Sequence, residues 1–391
     1  MIHAVTVSTT HDDPARAGKE TADELLDQLG AAPDVVLLFV SPRHACEQVL
    51  EGLWRRLPPR TRLIGTSTAG EINGEEAVDG SVTAMGLRLD GIGFETHRLD
   101  PPSGSARDAG RAFGARLKGA PPDLLLLFPD GGSGLRVDAL LRGIQDELGP
   151  ELPIIGGGSG GSGDDGSFTR IAQLHQRDVL RGGAVALALR GPLRVATAAR
   201  SGWIPIGAPR TCTRIEGGNL LLELDGQPAL SVYEEYLGPR IADMPAASLE
   251  FPLGIVGDHA VAEGGYDGQT LLRTVIGVDA ARKALVLAGA MDEGTRVRVT
   301  RATKEDVLAA ARAAVDAALA ELPDPSVALF FNCVSRKIVL GPRYKEELGQ
   351  AFARLGPRVP AAGFYCFGEL SPLRGASAYC QATFTLALVR G

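Results

Sequence analysis

Two loops in this chain combine glycines at the same spacing with a carboxylate, and such loops can hold a small ligand. They are Gly65–Glu71 and Gly363–Glu369. Glycine at fixed positions indicates a backbone that needs positive φ or the close approach of another group. The N–H groups and hydroxyls of the loop would face the ligand, and the glutamate would take its ammonium group. A tight turn whose glutamate faces water explains the same spacing. The candidate contacts are Gly65, Ser67, Thr68, Gly70, Glu71, Gly363, Phe364, Tyr365, Gly368 and Glu369.

Arg336 and Cys333 are further candidate ligand contacts, because both follow an apolar run that is typical of a buried strand. The guanidinium of Arg336 is a planar fork that matches a carboxylate, and a surface salt bridge is an equal alternative. With Glu369 for an ammonium group and Phe364 and Tyr365 as a wall, these residues predict a pocket for an amino-acid-like ligand in the C-terminal part. The pocket requires the first two strands of the repeat unit Ser326–Gly391 to be adjacent and parallel, so that both loops leave one edge of the sheet.

Cys333 and Ser159 also allow an enzymatic interpretation. Gly157–Gly161 spells GxSxG, the nucleophile elbow of many hydrolases, but that elbow needs a strand before it and a helix after it. Here 163–166 reads Gly-Asp-Asp-Gly. A cysteine beside an arginine can be an activated thiolate, whereas cysteines next to apolar runs are more often small buried hydrophobes. We expect no histidine in triad geometry beside either residue.

Composition and spacing disfavour several other classes of site. A net charge of −7 over 391 residues argues against a nucleic-acid partner. The glycine loops lack the Lys-Ser/Thr of a phosphate loop. The five cysteines form no CxxC pair and the six histidines never lie three or four residues apart, so we expect neither a metal nor a cofactor. No apolar run approaches the ~20 residues of a membrane helix, and no signal peptide is visible. We therefore expect a cytoplasmic protein without membrane insertion.

The two loops belong to an internal repeat of three units. Unit one is Asp34–Asp90, unit two is Asp123–Gly191 and unit three is Ser326–Gly391. Each has an apolar run, a helical pattern, a short strand, a glycine loop and a closing strand. In unit two, Gly156 and Gly161 keep the loop spacing, but Ser162 stands where the other units have glutamate. The pattern predicts an α/β protein with mixed sheets built from repeated strand-helix-strand-loop-strand units.

The length exceeds one ordinary core, so two domains are expected. The repeat pattern is interrupted near Gly202, where short strands and turns begin, and Thr303–Leu322 is the clearest helix that follows. We place the domain boundary between Arg190 and Gly207, which predicts domains of residues 1–200 and 201–391.

The ordered motifs resemble those of the FIST sensory proteins, which pair a FIST-N with a FIST-C domain. The motifs are Ile64-Gly-Thr-Ser-Thr-Ala-Gly-Glu71-Ile, Asp225-Gly-Gln-Pro-Ala-Leu230, Gly289-Ala-Met-Asp-Glu-Gly294, Asn332-Cys333-Val-Ser-Arg336 and Ala362-Gly363-Phe-Tyr-Cys-Phe-Gly368-Glu369. The chain departs from the family at Cys380-Gln381, where a His-Asn-like pair is common. The resemblance implies a FIST-N-like domain over 1–200, a FIST-C-like domain over 201–391 and ligand sensing in signal transduction, with amino acids among the suggested ligands.

The leading hypothesis is therefore a cytoplasmic small-molecule sensor with its pocket near the glycine loops. Such a sensor either stands alone or acts through a signalling partner protein. The alternatives are a hydrolase-type enzyme that uses Cys333 or Ser159 and a scaffold whose loops are only structural.

Overall fold

The structure is a computed structural model that describes residues 1–161, 170–244, 246–256, 270–373 and 375–391. The predictions that concern Ser162 and 163–166 lie outside the described residues, as does His259.

A strand and a helix precede each repeat unit and complete its sheet. Unit one and its preceding elements comprise β1 (Ile2–Thr9), α1 (Pro14–Leu29), β2 (Val35–Val40), α2 (Cys46–Trp54), β3 (Arg62–Ser67), β4 (Glu71–Asn73), β5 (Glu76–Val78) and β6 (Val82–Leu89). Those of unit two are β7 (Gly93–Leu99), α3 (Ala106–Leu117), β8 (Leu124–Pro129), α4 (Val137–Leu148), β9 (Ile154–Gly157), β10 (Gln173–His175), β11 (Asp178–Leu180) and β12 (Ala184–Arg190).

In the third unit an insertion separates the preceding strand from the preceding helix. The strand is β13 (Arg194–Arg200). The insertion contains β14 (Ile204–Pro205), β15 (Arg210–Glu216), β16 (Leu220–Leu224), β17 (Gln227–Pro228), α5 (Ala229–Leu237), β18 (Leu253–Val256), β19 (Leu272–Arg273), β20 (Val275–Asp279), β21 (Ala284–Leu287) and β22 (Arg296–Arg301). The chain continues with α6 (Lys304–Glu321), β23 (Val327–Cys333), α7 (Val334–Leu340), α8 (Tyr344–Leu355), β24 (Ala361–Cys366), β25 (Glu369–Leu373), β26 (Ala376–Cys380) and β27 (Phe384–Arg390).

Local sequence explains where the principal helices begin. Asp13 caps α1 by accepting a hydrogen bond from the backbone N–H of Arg16 (2.7 Å), and Pro14 occupies the first turn. The long helix α6 begins at a capping box, in which Thr303 and Asp306 each bond to the other's backbone N–H. The helix predicted over Thr303–Leu322 therefore lies between its N-cap Thr303 and its C-cap Leu322.

The sheets of the three repeat units share one strand order, and the insertion forms a separate nine-stranded sheet. In sheet one the order is β1-β6-β2-β3, in sheet two β7-β12-β8-β9 and in sheet three β13-β27-β23-β24. The pairs β2/β3, β8/β9 and β23/β24 are parallel, and the closing strands are antiparallel to their neighbours. The expected α/β class with mixed sheets is confirmed. The adjacent, parallel β23 and β24 also meet the condition that the predicted C-terminal pocket required.

Each unit also has a hairpin between its glycine loop and its closing strand, which the sequence pattern did not predict. The hairpin does not join the sheet of its own unit. The hairpin β4–β5 of unit one extends sheet three at β24, β10–β11 of unit two extends sheet one at β3, and β25–β26 of unit three extends sheet two at β9. The three units are therefore connected in a cycle.

The inner faces of the three sheets enclose one apolar core. Phe39, Phe128 and Phe331 occupy the same register position in β2, β8 and β23, and the ring of Phe364 lies 5.1–5.6 Å from all three. Helix pairs cover the outer faces: α1 and α2 on sheet one, α3 and α4 on sheet two, α6 and α8 on sheet three. A wholly apolar cavity of about 20 Å³ within this core has no room for a metabolite.

The glycine that opens each loop allows two strands to approach closely. A Cβ at Gly363 would lie 1.8 Å from the carbonyl oxygen of Phe330, and a Cβ at Gly65 would lie 2.4 Å from that of Leu38. Both distances are shorter than any van der Waals contact. The glycine spacing that the loops share thus reflects a steric requirement of the strand pairs.

Candidate ligand-binding site

The three glycine loops bind one another through backbone hydrogen bonds. The fifth residue of each loop donates its N–H to the carbonyl of the third residue of another loop: Ala69 to Tyr365 (2.8 Å), Phe367 to Gly158 (3.0 Å) and Gly160 to Ser67 (3.0 Å). The hydroxyl of Ser67 adds a bond to the carbonyl of Gly160 (2.7 Å). The N–H groups of these fifth residues, which the sequence pattern offered to a ligand, are therefore already paired.

Glu71 does not face water, and its carboxylate is held by its own unit. The residue is fully buried, and Oε2 accepts hydrogen bonds from the backbone N–H (2.8 Å) and the hydroxyl (2.9 Å) of Ser81. Oε1 accepts a hydrogen bond from the hydroxyl of Thr68. Burial raises the pKa of Glu71 to about 7, and the three hydrogen bonds oppose that rise.

Glu369 repeats this arrangement in unit three. It is fully buried, and Oε2 accepts from the backbone N–H (3.0 Å) and the hydroxyl (2.5 Å) of Thr383, while the thiol of Cys366 donates to Oε1 (3.4 Å). Burial raises the pKa of Glu369 to about 7. Both glutamates are thus structural partners of a closing strand.

Gln173 is the structural counterpart of the two glutamates in unit two. It begins the first strand of its hairpin, and its Nε2 donates to the Ser159 hydroxyl (2.9 Å) and to Asp130 Oδ2 (3.2 Å). The register supports the equivalence, because each counterpart lies opposite the residue that follows an opening glycine: Glu71 opposite Phe364, Gln173 opposite Thr66 and Glu369 opposite Gly157. Spacing alone does not show this match, because more residues separate Gly161 from Gln173 than separate the corresponding residues of the other two units.

Arg336 is fully buried and bound by protein acceptors. Its Nε (2.9 Å) and Nη2 (2.5 Å) donate to Glu347 Oε1. Nη2 also donates to the carbonyl of Val307 (2.8 Å), and Nη1 donates to the carbonyls of Ser201 and Ala382 (3.1 Å). A ligand carboxylate at this guanidinium would have to displace one of these acceptors.

The turn between β26 and β27 nevertheless brings several predicted site residues together. Arg336 donates to the carbonyl of Ala382, Glu369 accepts from Thr383, and the backbone N–H of Cys333 donates to the carbonyl of Thr383 (3.1 Å). On the other side of the turn, Gln381 Oε1 accepts from the backbone N–H of Thr274 in the insertion (2.7 Å). The Cys380-Gln381 departure stands where β26 ends and this turn begins, so it lies at a junction of buried polar groups.

Phe364 and Tyr365 do not form one wall. Because successive side chains of a strand point to opposite faces, Phe364 packs in the central core and Tyr365 packs on the outer side, where its ring centroid lies 6.1 Å from that of Tyr344. The predicted pocket of Arg336, Phe364, Tyr365 and Glu369 is therefore divided by the sheet.

Cys333 and Ser159 lack the surroundings of a nucleophile. Burial raises the pKa of Cys333 to about 12, which keeps it as a thiol at neutral pH. Ser159 is buried and its hydroxyl donates to the carbonyl of Pro129 (3.0 Å). Among the hydrogen bonds of the described residues, none joins a histidine to the side chain of Cys333 or Ser159.

A partly exposed ion pair that sequence reasoning missed joins unit one to unit three. The ammonium of Lys337 pairs with Asp79 and donates to the carbonyl of Ala69 (3.2 Å). It lies 5.1 Å from the ring centroid of Tyr344 and 5.2 Å from that of Tyr365. The hydroxyl of Tyr344 donates to Asp79 Oδ2 (3.1 Å). We call these four side chains, Lys337, Asp79, Tyr344 and Tyr365, the Lys337–Asp79 cleft.

The cleft combines a cation, an anion and aromatic surface at a partly open place. The side chain of Lys337 is 19% exposed and that of Asp79 is 53% exposed, so solvent reaches the ion pair. The two charged residues are 258 positions apart in the chain. Their only local signals are that Lys337 follows the predicted Arg336 and that Asp79 precedes a turn glycine.

An open groove of about 500 Å³ lies elsewhere, on unit two. It is lined by residues such as Pro101, Leu135, Arg136 and Arg181, and it contains none of the predicted contacts.

Among the described residues, no group of three or more His, Cys, Asp and Glu side chains is arranged to hold a metal ion. No helix in the described part of the chain has both the length and the apolar character needed to cross a membrane.

Comparisons with known proteins relate this architecture to a family. The family model of the FIST N domain matches residues 34–227, and that of the FIST C domain matches residues 229–372. An uncharacterized protein of Mycobacterium tuberculosis is 29% identical over 391 residues, which cover 97% of each chain. One of Mycobacterium bovis is 28% identical over 390 residues, covering 97% of this chain and 96% of the relative.

Among solved structures, cyanuric acid hydrolase from A. caulinodans aligns over 100% of this chain and 99% of its own, with 8% identity and a TM-score of 0.39. That TM-score supports no inference about fold or activity. The domain bounds of 1–200 and 201–391 remain a prediction.

Proposed function

Because this chain belongs to the FIST family, with a FIST N domain followed by a FIST C domain, we propose that it is a cytoplasmic sensor of amino acids or related small metabolites. FIST domains are associated with signal transduction and sensing. The expected output is contact with a signalling partner protein. The observation that supports a ligand of this kind is the Lys337–Asp79 cleft.

The chemistry of the cleft matches the head group of an amino acid. A carboxylate would bind the ammonium of Lys337, and the α-ammonium would bind Asp79, so the ligand would replace one ion pair by two. A partly exposed ion pair is worth only about 0–1 kcal/mol, which makes this replacement inexpensive. The rings of Tyr344 and Tyr365 flank the cation and supply apolar surface.

Lys337 and Asp79 offer the same chemistry as Arg336 and Glu369, the pair predicted from the sequence. Arg336 and Glu369 are fully buried and already bonded, whereas Lys337 and Asp79 retain solvent contact. Breaking the buried Arg336–Glu347 pair would leave an uncompensated charge, at a cost of about 3–5 kcal/mol. The ligand head group is therefore better placed at the neighbouring lysine.

The position of the cleft also suits a sensor. Asp79 lies in the part that matches the FIST N domain, and Lys337 lies in the part that matches the FIST C domain. A ligand that binds both residues would change the strength of the contact between the two domains. Such differential contact is what a ligand needs in order to shift an equilibrium between two states.

The test is calorimetry and thermal unfolding with a panel of the common amino acids. A ligand at a hundred times its dissociation constant should add about 2.7 kcal/mol to the free energy of unfolding. Lys337→Met and Asp79→Asn should abolish that gain. The matched control is Lys345→Met, because Lys345 also lies over the ring of Tyr344 (5.9 Å) but does not pair with Asp79. Unchanged binding in both cleft variants would place the ligand elsewhere.

A further inference from the structure

The open groove on unit two has the size of a small-molecule site. Its volume of about 500 Å³ lies within the ~300–1,000 Å³ that is usual for such sites. Three segments of the chain line it, namely 101–106, 133–136 and 181–182. A Cβ at Gly182 would lie 3.4 Å from Cγ of Pro101 and 3.6 Å from Oγ of Ser133, so the three segments lie side by side. The groove therefore has walls that the fold itself brings together.

The charged side chains in the described lining of this groove are both arginines, Arg136 and Arg181. None of the described residues that line it is acidic, although the whole chain has a net charge of −7. Two guanidinium groups without a carboxylate in the same wall attract an anion. Pro101, Pro102 and Leu135 form an apolar part of the wall, which suits an organic group attached to that anion.

Arg136 keeps most of its hydrogen-bonding capacity free for a ligand. Its Nη1 donates to the carbonyl of Gly217, in the turn between β15 and β16 of the insertion. Within the described part of the chain, no carboxylate pairs with this guanidinium, and Nε and Nη2 have no acceptor. A planar fork of this kind matches the oxygens of a phosphate or carboxylate.

Arg181 has a partner that a ligand can replace or share. Its Nη2 lies 3.1 Å from Oε1 of Glu47, which belongs to α2 of unit one. The two side chains are 62% and 57% exposed. Exposed ion pairs of this kind contribute little to stability. The guanidinium of Arg181 can therefore turn to a stronger anion at low cost.

A buried carboxylate holds the two arginine-bearing segments together. Asp130 is 1% exposed, and its Oδ1 accepts hydrogen bonds from the backbone N–H groups of Gly132 (3.0 Å) and Ser133 (2.7 Å). Its Oδ2 accepts one from the backbone N–H of Gly182 (2.8 Å). The groove is therefore formed before a ligand arrives, which reduces the entropic cost of binding.

The start of helix α4 adds to the positive character that the arginines give the groove. Arg136 is the N-cap of this helix, and its side chain makes no capping hydrogen bond. Asp138, the acidic residue of the first turn, binds the insertion instead, because it accepts hydrogen bonds from Arg273 (3.2 Å) and from the backbone N–H of Ala290 (2.9 Å). The helix dipole at this end favours an anion beside Arg136.

We propose that this groove binds a phosphate monoester, whose phosphate contacts Arg136 and Arg181 and whose organic group lies against Pro101 and Leu135. A phosphate monoester carries a charge of about −1.5 to −2 at pH 7 and has three acceptor oxygens. It can accept from both guanidinium groups at once, whereas a single carboxylate has two oxygens and one charge. The groove contains no residue of the Lys337–Asp79 cleft, so this site is independent of the proposed amino-acid site.

The experiment is calorimetry at constant ionic strength with phenyl phosphate, inorganic phosphate and malonate. We expect phenyl phosphate to bind about tenfold or more tightly than inorganic phosphate, because its ring covers the apolar wall. Arg136→Gln and Arg181→Gln should each weaken phenyl phosphate binding about tenfold or more, because hydrogen bonds to a charged group are lost. Glu47→Gln should strengthen that binding, because it removes the carboxylate that competes for Arg181.

The matched control is Arg142→Gln, because Arg142 also lies in α4 and is 57% exposed but does not line the groove. It should leave phenyl phosphate binding unchanged. All three arginines are exposed, so the variants should stay folded. An equal loss in the three arginine variants would indicate attraction to net charge and overturn the site, as would absence of phenyl phosphate binding. Malonate binding as tight as that of phenyl phosphate would overturn the assignment to phosphate.

Discussion

Ala382 adopts the left-handed backbone conformation that Gly80 adopts at the equivalent turn of unit one, with φ values of 55° and 84°. The carbonyl of the next residue in each turn accepts a backbone hydrogen bond: that of Thr383 from Cys333, the last residue of β23, and that of Ser81 from Ser41, which directly follows β2. Unit two has Gly182 at this position, with φ 77°. An L-residue there costs about 1–2 kcal/mol, and such strain concentrates at functional positions.

Replacing this alanine should therefore cost little. Ala382→Gly relieves the strain but loses a buried methyl group and frees the unfolded chain, so we expect the free energy of unfolding to change by less than about 1 kcal/mol. The control is Ala314→Gly, at a buried position in α6, which should lose about 1.5–2 kcal/mol. Urea unfolding measures both. Equal losses would contradict the assignment of strain to Ala382.

The buried glutamates predict a dependence of stability on pH. The pKa of Glu71 and of Glu369 rises from 4.5 to about 7 on folding, so the folded protein holds more protons than the unfolded chain between those values. Their stabilising contribution is fully present below about pH 4.5 and is lost as the pH rises through 7. The loss is on the order of 3 kcal/mol for each glutamate, at 1.36 kcal/mol per pKa unit.

The variants Glu71→Gln and Glu369→Gln should remove this loss. Glutamine fits the position, because Gln173 occupies it in unit two. Unfolding measured from pH 5 to 8 should show a flatter profile in the double variant than in the wild type. The reverse change, Gln173→Glu, should steepen the profile. Parallel profiles in all three proteins would show that these carboxylates do not titrate in this range.

Adjacent cations should differ widely in their effect on stability. Arg336→Met leaves the buried Glu347 carboxylate unpaired and should lower the free energy of unfolding by about 3–5 kcal/mol. Lys337→Met removes a partly exposed pair and should cost less than about 1 kcal/mol. Chemical denaturation without ligand compares the two variants. A small loss in Arg336→Met would revive Arg336 as a ligand contact.

The opening glycine of the third loop should not tolerate a side chain. Gly363→Ala would put a methyl group 1.8 Å from the Phe330 carbonyl oxygen, so we expect a loss above about 4 kcal/mol or failure to fold. Gly349→Ala in α8 is the control, since nothing lies within 4 Å of its Cβ position, and it should gain up to about 1 kcal/mol from helix propensity. A well-folded Gly363→Ala protein with wild-type stability would refute the close strand approach.

The sequence predicted those parts of the fold whose signal is local. Gly65 and Gly363 marked loops at strand ends, and Thr303 was the first residue of the predicted helix, because steric and capping requirements act within a few residues. The exchange of hairpins left no such signal. The strand that begins at Glu71 pairs with Gly363 and Phe364 of another unit, and no short-range pattern encodes that choice.

The candidate site was predictable only in part, for the same reason. Arg336, Cys333 and Glu369 do meet at one turn, as expected from the parallel strand pair. These residues are buried, however, and their polar groups bond to other groups of the protein. The pairing of Lys337 with Asp79 joins distant segments through the exchanged hairpin.

The hairpin cycle means that the boundary between the two family domains is not a place where the molecule can be divided. A fragment that ended near residue 228 would carry β4–β5 without β24 to receive it, and its own β9 would lack β25. Each half would expose open strand edges, which are templates for pairing with another chain. Two complementary fragments should therefore recover the native protein by associating with each other, while either one alone should oligomerise.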